Sequence, residues 1–241
     1  SAFVSIEYEE FVEFMTSVLP GLGEEFMVDY IREMADLILG ISRDHRFIIV
    51  TGGGRTAREY IRIGRDLRSD EATLDWIGIS ATRLNSYLLI SSMKGSSYPK
   101  PFETVEEALL GSASFPVTIG GGTHPGHTTD TVAALIAERW KADLFLNLTS
   151  VDGVYTADPD IHEGAERFES MTTAELLDLV STVSRSAGSH SPMDPLASRI
   201  IHRSRIPTAI LNGRDLGSVK GAITGMEFRG TIIEPVKDGD S

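Results

Sequence analysis

The sequence predicts a three-layer α/β sandwich with a mostly parallel central sheet. Three observations carry this. Short apolar runs of strand length alternate with longer stretches whose apolar residues recur at helical spacing. Two of the runs pass directly into glycine-rich loops that open helices, at Gly52-Gly53-Gly54 and Gly120-Gly121-Gly122. A third run, Asp143 to Leu148, leads into the turn Asp152-Gly153. In an open α/β sheet such loops leave the carboxyl edge of the strands, where ligands bind.

The elements follow in order. Glu25 to Ile41 places Phe26, Tyr30, Met34, Leu37, Ile38 and Ile41 on one helical stripe. Phe47 to Val50 is a short buried strand, and Arg55 to Arg65 is a helix opening on the first glycine loop. Leu74 to Met93 reads as a mostly apolar helix, followed by a loop from Gly95 to Pro101. Val105 to Leu110 is a short helix and Val117 to Ile119 a strand. Thr129 to Trp140 is the helix after the second glycine loop, capped by Thr128 or Thr129. Thr172-x-x-Glu175 is a capping box, within a helix that begins near Glu169. Pro195 to Arg203 is a helix, Thr208 to Leu211 a strand and Thr231 to Ile233 the last strand. No internal repeat or long linker appears, so residues 1–241 read as a single domain.

Composition narrows the function classes. The 241 residues carry a formal net charge of −13 and no cysteine. Disulfides and thiolate metal sites are excluded. So acidic a chain repels nucleic acid and anionic lipid, and neither is an expected partner. No apolar run approaches the roughly 20 residues that span a bilayer. Ser1-Ala2-Phe3-Val4 shows no signal-peptide pattern, so a cytoplasmic location is expected.

The loops carry the chemistry. Glycines let backbone amides approach an anion, and a helix N-terminus adds partial positive charge. Two such loops suggest cradles for two phosphorylated ligands; the alternative is a pair of tight strand-to-helix turns. Neither fits the P-loop or the dinucleotide-binding spacing. Arg55, Arg58, Arg62, Arg65 and Arg68 supply local positive charge, with Arg58 the expected ligand contact and the others a solvated face. Asn147 to Pro159 offers an aromatic ring, hydroxyls and carboxylates on one loop.

Taken together these segments resemble the amino acid kinase superfamily, and within it the archaeal type of uridylate (UMP) kinase. The resemblance rests on GGGRTAR at 52–58, DWIGISATRLNSYLL at 75–89, GGTHPGHTTD at 121–130 and TSVDGVYTADP at 149–159. SPMDPLASRII at 191–201 and GTIIEP at 230–235 also fit. It runs from about Met27 to Pro235. It implies transfer of the ATP γ-phosphoryl group to UMP, giving UDP for pyrimidine nucleotide synthesis. UMP would be bound by Gly53, Asp75, Thr123, His124, Pro125, Gly126, His127, Thr128 and Thr129, with Asp75 on the ribose hydroxyls. ATP would be bound by Gly54, Arg58, Thr149, Ser150, Tyr155 and Asp158. Catalytic roles fall to Asp130, Arg58 and Ser17. Mg2+ would arrive with ATP, and no protein metal site is expected. The UMP-binding part is roughly residues 1–140 and the ATP-binding part roughly 141–235. Such kinases are homohexamers, and residues 25–41 and 74–93 offer apolar surface for self-association.

The chain departs from the family at its start. The family opens with a strand ending in Gly-Gly-Ser. The segment here that aligns with it is Glu13 to Pro20, where Ser17 fits but Met15 and Thr16 replace the glycines. Residues 1–12 have no counterpart. That departure leaves open a catalytically weak or inactive nucleotide-binding protein of the same fold. His124, His127, His162 and His190 leave open a molybdenum or other oxoanion-storage protein, although they lack a metal-ligand spacing.

Overall fold

A computed structural model describes residues 2–6, 23–157, 159, 161–162, 164–183 and 193–236. Ser17, Asp158, His190 and the Met15-Thr16 pair therefore lie outside the described residues. Among the described residues, one sheet of seven strands organises the fold. These are β1 (Ala2–Ile6), β2 (Phe47–Thr51), β3 (Val117–Gly120), β4 (Leu144–Thr149), β5 (Ser170–Thr172), β6 (Thr208–Asn212) and β7 (Thr231–Glu234). Their order is β3-β2-β1-β4-β6-β7-β5. Every pair is parallel except β6 with β7.

The helices are α1 (Gly23–Ile41), α2 (Gly54–Asp66), α3 (Glu71–Ser92), α4 (Val105–Ser114), α5 (Thr129–Trp140), α6 (Thr173–Val183), α7 (Pro195–Ser204) and α8 (Leu216–Thr224). They form the two outer layers. Strand β2 is buried along its whole length, so it reads as an unbroken apolar run. Its side chains alternate: Ile48 and Val50 join a core with α4, α5, α6 and α7, while Phe47 and Ile49 join a core with α1, α3 and α8. Helix α2 packs on α3 outside both cores. Gly64 lets it do so, since a Cβ there would stand 2.7 Å from Leu74 Cδ2.

Four differences from the sequence reading have physical causes. The segment aligned with the family's opening strand, residues 13–20, lies outside the described residues, while Ala2–Ile6, given no element in the sequence reading, forms the central strand, paired with β2 and β4. A five-residue run near a chain end is too short to distinguish from a frayed terminus by pattern alone. Residues 170–172, read as helix, form edge strand β5, because pairing with β7 overrides local preference. The capping box just beyond it is real: Thr172 N donates to Glu175 Oε2 at 2.7 Å, and Glu175 N donates to Thr172 Oγ1 at 3.2 Å. Helix α8 escaped notice because Gly217 and Gly221 dilute its pattern. Gly221 is needed there, since a Cβ would lie 2.5 Å from the Glu227 carbonyl oxygen. The apolar stripe of α1 is not spare surface, because Ile31, Met34 and Ile38 are absorbed into the core. The surplus lies on α2 and α3, where Tyr60, Ile63, Leu84, Tyr87 and Leu88 are exposed. Among the described residues no helix is long and apolar enough to cross a membrane.

Helices α5 and α7 are tied by a bidentate pair. Arg203 Nε and Nη2 donate to Glu138 Oε1 and Oε2 at 2.8 and 2.6 Å, and Ser204 Oγ adds a third bond at 2.9 Å. The Arg203 hydrogen bond, aided by Ser204 and opposed by burial, holds the Glu138 carboxyl below its ordinary value of 4.5. A carboxylate depressed on folding stabilises the fold above its unfolded pKa and loses that effect as pH falls through the folded one. Glu138→Gln should therefore cost about 0.5–1 kcal/mol at pH 7. The difference from the parent in urea melts should shrink to nothing as pH falls through the folded-state value, below 4.5.

Candidate functional site

Parallel strands place their carboxyl ends on one edge. From β1 the chain moves outward to β2 and β3, then returns through α5 to β4 on the other side of β1. The order reverses there, and the crevice at such a reversal is where α/β sheets bind ligands. Residues 52–53, 121–128, 150–157 and 213–215 all leave this edge. The first three are the loops singled out in the sequence.

Helix α3 joins the two glycine loops. Thr51 Oγ1 donates to the Thr82 carbonyl at 2.9 Å, and Asn85 Nδ2 donates to the Gly52 carbonyl at 2.8 Å. Thr82 Oγ1 donates to the Ile79 carbonyl at 2.6 Å and accepts Gly122 N at 2.8 Å. This contact explains the glycines. A Cβ on Gly121 would lie 2.1 Å from Thr82 Oγ1, one on Gly122 2.9 Å from Ile79 Cγ1, and one on Gly120 2.5 Å from the Phe102 ring. Gly120 to Gly122 thus have a packing role that the sequence reading did not give them: they admit α3 and Phe102, and the Gly122 amide is taken by Thr82.

The exposed part of that loop begins after Gly122. Gly126 has φ +82° and donates its amide to Asp75 Oδ2 at 2.8 Å. His124 meets Trp76 edge-on, with ring centroids 6.2 Å apart. Gly53 stands against the same helix, where a Cβ would be 3.5 Å from Thr82 Cγ2. Gly53, Asp75 and residues 123–129 are therefore gathered round α3, although they lie far apart in sequence.

The helix that follows is set by a residue to which the sequence reading gave no role. Thr128 caps α5, accepting Thr131 N at 3.1 Å. Its hydroxyl donates to Asp194 Oδ2, and Thr131 Oγ1 donates to the same oxygen at 2.9 Å. Asp194 also caps α7, accepting Leu196 N and Ala197 N at 2.7 and 3.0 Å. Its own amide donates to Asp130 Oδ2 at 3.3 Å, and Asp130 is buried. One carboxylate therefore fixes two helix N-termini. The Asp-Pro pair was the signal, since Pro favours the first helical turn and Asp the cap before it.

The third loop is held from several sides. Asn212 Nδ2 donates to the Ser150 carbonyl at 2.8 Å, and Gly213 N to the Thr149 carbonyl at 2.9 Å. Tyr30 reaches over from α1 to donate to the Gly213 carbonyl at 2.8 Å. Tyr155 donates its hydroxyl to Asp152 Oδ1, and Arg229 Nε donates to Asp152 Oδ2. Burial pushes the Asp152 carboxyl up, but the bonds from Tyr155 and Arg229 outweigh it and the net direction is down. The same bond, then burial, raises the Tyr155 phenol above its ordinary value.

Arg58 lies one turn into α2 and is exposed, while Arg55 pairs with Glu59 at 2.7 Å. Helix α2 begins at Gly54 with φ +59°, without a side-chain cap and without an acidic residue in its first turn. Among the described residues no group of three or more His, Asp or Glu is arranged to hold a metal ion.

The packing of Gly121 on Thr82 gives a direct test. Gly121→Ala should destabilise the fold by about 1–3 kcal/mol, the usual cost of overpacking. Gly126→Ala meets no atom within 4 Å, so only its left-handed backbone should cost, about 1–2 kcal/mol. Denaturant melts that place Gly121→Ala level with the parent would remove the packing argument.

The profile of the amino acid kinase family matches residues 16–212. A uridylate kinase of Methanospirillum hungatei is 40% identical over 216 residues, 90% of each chain. One of Archaeoglobus fulgidus is 43% identical over 203 residues, 84% of this chain and 91% of its own. The crystal structure of uridylate kinase from Archaeoglobus fulgidus superposes with a TM-score of 0.81 at 38% identity, covering 96% of this chain and 99% of that one. The UMP kinase of Bacillus anthracis shares the fold, with a TM-score of 0.73 at 19% identity over 98% of this chain and 96% of its own.

Proposed function

Because the chain belongs to the amino acid kinase family, we infer that it is a uridylate kinase, transferring the ATP γ-phosphoryl group to UMP to give UDP and ADP. One observation carries the reading: the loop at 121–130 and Asp75, which resemblance alone assigned to UMP, meet at the Asp75–Gly126 bond on the ligand-binding edge of the sheet. Identity near 40% to uridylate kinases over most of the chain favours this over an inactive nucleotide binder or an oxoanion store.

The residue roles follow as proposals. Asp75 Oδ2 holds Gly126, and its second oxygen is the acceptor for the ribose hydroxyls. Gly53 and residues 123–129 enclose the base and phosphate. Asp130 acts beside the reacting phosphates from the first turn of α5, steadied by the Asp194 amide. Gly54, Arg58, Thr149, Ser150 and Tyr155 receive ATP, with Asp158 and Ser17 assigned on resemblance. In-line phosphoryl transfer needs positioning and charge neutralisation more than covalent help, and Arg58 supplies a fixed positive charge. Mg2+ comes with the nucleotide, held chiefly by phosphate oxygens and water. We propose with it a cytoplasmic location and a role in pyrimidine nucleotide biosynthesis.

A coupled assay should show ADP release with UMP and ATP, at an ordinary kinase rate of about 1–100 per second. Asp75→Asn should weaken UMP binding by about 1.5–3 kcal/mol, the range for hydrogen bonds to a charged group, and leave ATP affinity unchanged. No turnover with UMP would overturn the function. Unchanged UMP affinity in calorimetry would remove only the ribose contact.

We also propose self-association, as a homohexamer. Tyr60 and Ile63 on α2 and Leu84, Tyr87 and Leu88 on α3 give two adjacent helices exposed apolar groups that a second copy can cover. Light scattering at micromolar concentration should give a multiple of the 26.2 kDa chain mass. Leu84→Asp with Leu88→Asp should reduce it, and a monomeric parent would refute the proposal.

A further inference from the structure

Asp152 sits on a D-G turn at the sheet edge, a position where carboxylates are normally solvated. Its side chain is only 19% exposed. Its two oxygens face two directions. Oδ1 accepts the Tyr155 hydroxyl from the same loop, and Oδ2 accepts Arg229 Nε from the segment before β7. Arg167 Nε lies 4.0 Å from Oδ2, and the Arg167 guanidinium donates to the Gly230 carbonyl.

The backbone of the loop is held by the same segments. Tyr155 pairs with Arg167 in an antiparallel bridge, and Phe168 N donates to the Val154 carbonyl at 2.9 Å. Thr231 Oγ1 accepts Val154 N at 2.9 Å and donates to the Phe168 carbonyl at 2.6 Å. Gly153, at φ +142°, allows this approach, since a Cβ there would stand 2.5 Å from Thr231 Oγ1. Tyr155 is thus pinned at its main chain by one strand-like segment and at its hydroxyl by Asp152. A tyrosine held at both ends keeps one ring plane, whereas one held only at its main chain can change rotamer.

We propose that Asp152 is a positioning residue of the donor-nucleotide subsite, with Arg229 as its partner. Asp152 fixes the Tyr155 ring in the orientation that receives the nucleoside part of ATP. Arg229 neutralises a carboxylate that would otherwise repel the polyphosphate in an already acidic protein. This rests on the reading that the 149–158 loop takes ATP. Neither residue touches the reacting atoms, so the effect belongs in donor affinity and not in the chemical step.

The test is steady-state kinetics with ATP and UMP varied separately. Asp152→Ala and Tyr155→Phe should each raise the ATP KM by about 10-fold or more, the loss of one hydrogen bond to a charged group. The UMP KM should stay unchanged and kcat at saturation should stay within about threefold. The double variant should be no worse than the more impaired single one, because both remove one interaction. Arg229→Ala should raise the ATP KM, and Arg229→Lys should restore part of the loss. Equal rises in both KM values, or an unmoved ATP KM, would overturn the proposal. Should Asp152→Ala fail to fold, Tyr155→Phe decides alone, since it removes only the hydroxyl. Tyr155→Ala separates the two readings. If it leaves the ATP KM unmoved, the donor assignment of the loop fails; if it alone raises that KM, only the positioning role fails.

Discussion

The hydrogen bonds of Thr82 are the constraint on which the Asp75 side of the candidate site depends. Its carbonyl receives Thr51 from the end of β2, and its hydroxyl receives Gly122 from the end of β3. Two loops leaving neighbouring strands are thereby fixed to one helix. The helix can come this close only because residues 120–122 have no side chains. A glycine run that looks like an anion cradle in sequence is, in the fold, the clearance that brings α3 to the sheet edge. The benefit to binding is indirect. Once α3 is seated, Asp75 and Trp76, two turns before Thr82, stand over the exposed part of the loop at His124 and Gly126.

The side proposed to receive ATP is built by a different device. Side chains from several elements tie it. Asp194 links the α5 N-terminus, at the end of the 121–128 loop, to α7. Asn212 and Tyr30 fasten Thr149 and Ser150 through the loop after β6. The two substrates would therefore meet across β1 and β4, each on a surface set by its own network. Phosphoryl transfer, which depends on alignment more than on reactive groups, is the kind of chemistry such a division suits.

Much of this was legible in the sequence, and the reasons for the rest are physical. Phe47 to Val50 announced a strand buried on both faces, and Thr172 with Glu175 announced a helix start, because both signals are local. Strand β5 was not legible, since its three residues owe their conformation to β7, some sixty positions away. The roles of Asp152 and Asp194 were hidden for the same reason. Each could be seen as an acidic residue on a turn, but its partners, Arg229 for one and Thr128 for the other, come from distant segments. The glycine loops are legible as loops, but the packing that requires glycine in them is not. Sequence shows that a side chain is missing; it does not show which neighbour fills the space.

The distribution of acidic residues explains how a chain of net charge −13 can hold two polyanions. Many helix starts are already occupied by the protein's own oxygen atoms. Asp70, Asp194 and Asp215 cap α3, α7 and α8, and Thr104 caps α4 with Glu106 and Glu107 in its first turn. These ends have spent their positive potential on carboxylates and hydroxyls. Helix α2 differs: Gly53 offers no side chain, its first turn holds no acid, and Arg55 and Arg58 follow. It is also the helix that opens directly from β2, next to the point where the strand order reverses. Among the helices with described caps, this is the N-terminus at the binding edge whose cap and first turn hold no carboxylate, although Arg55 is already paired with Glu59. If ATP binds at this edge as proposed, the acidic surface repels anions elsewhere and leaves this helix end to receive the phosphates.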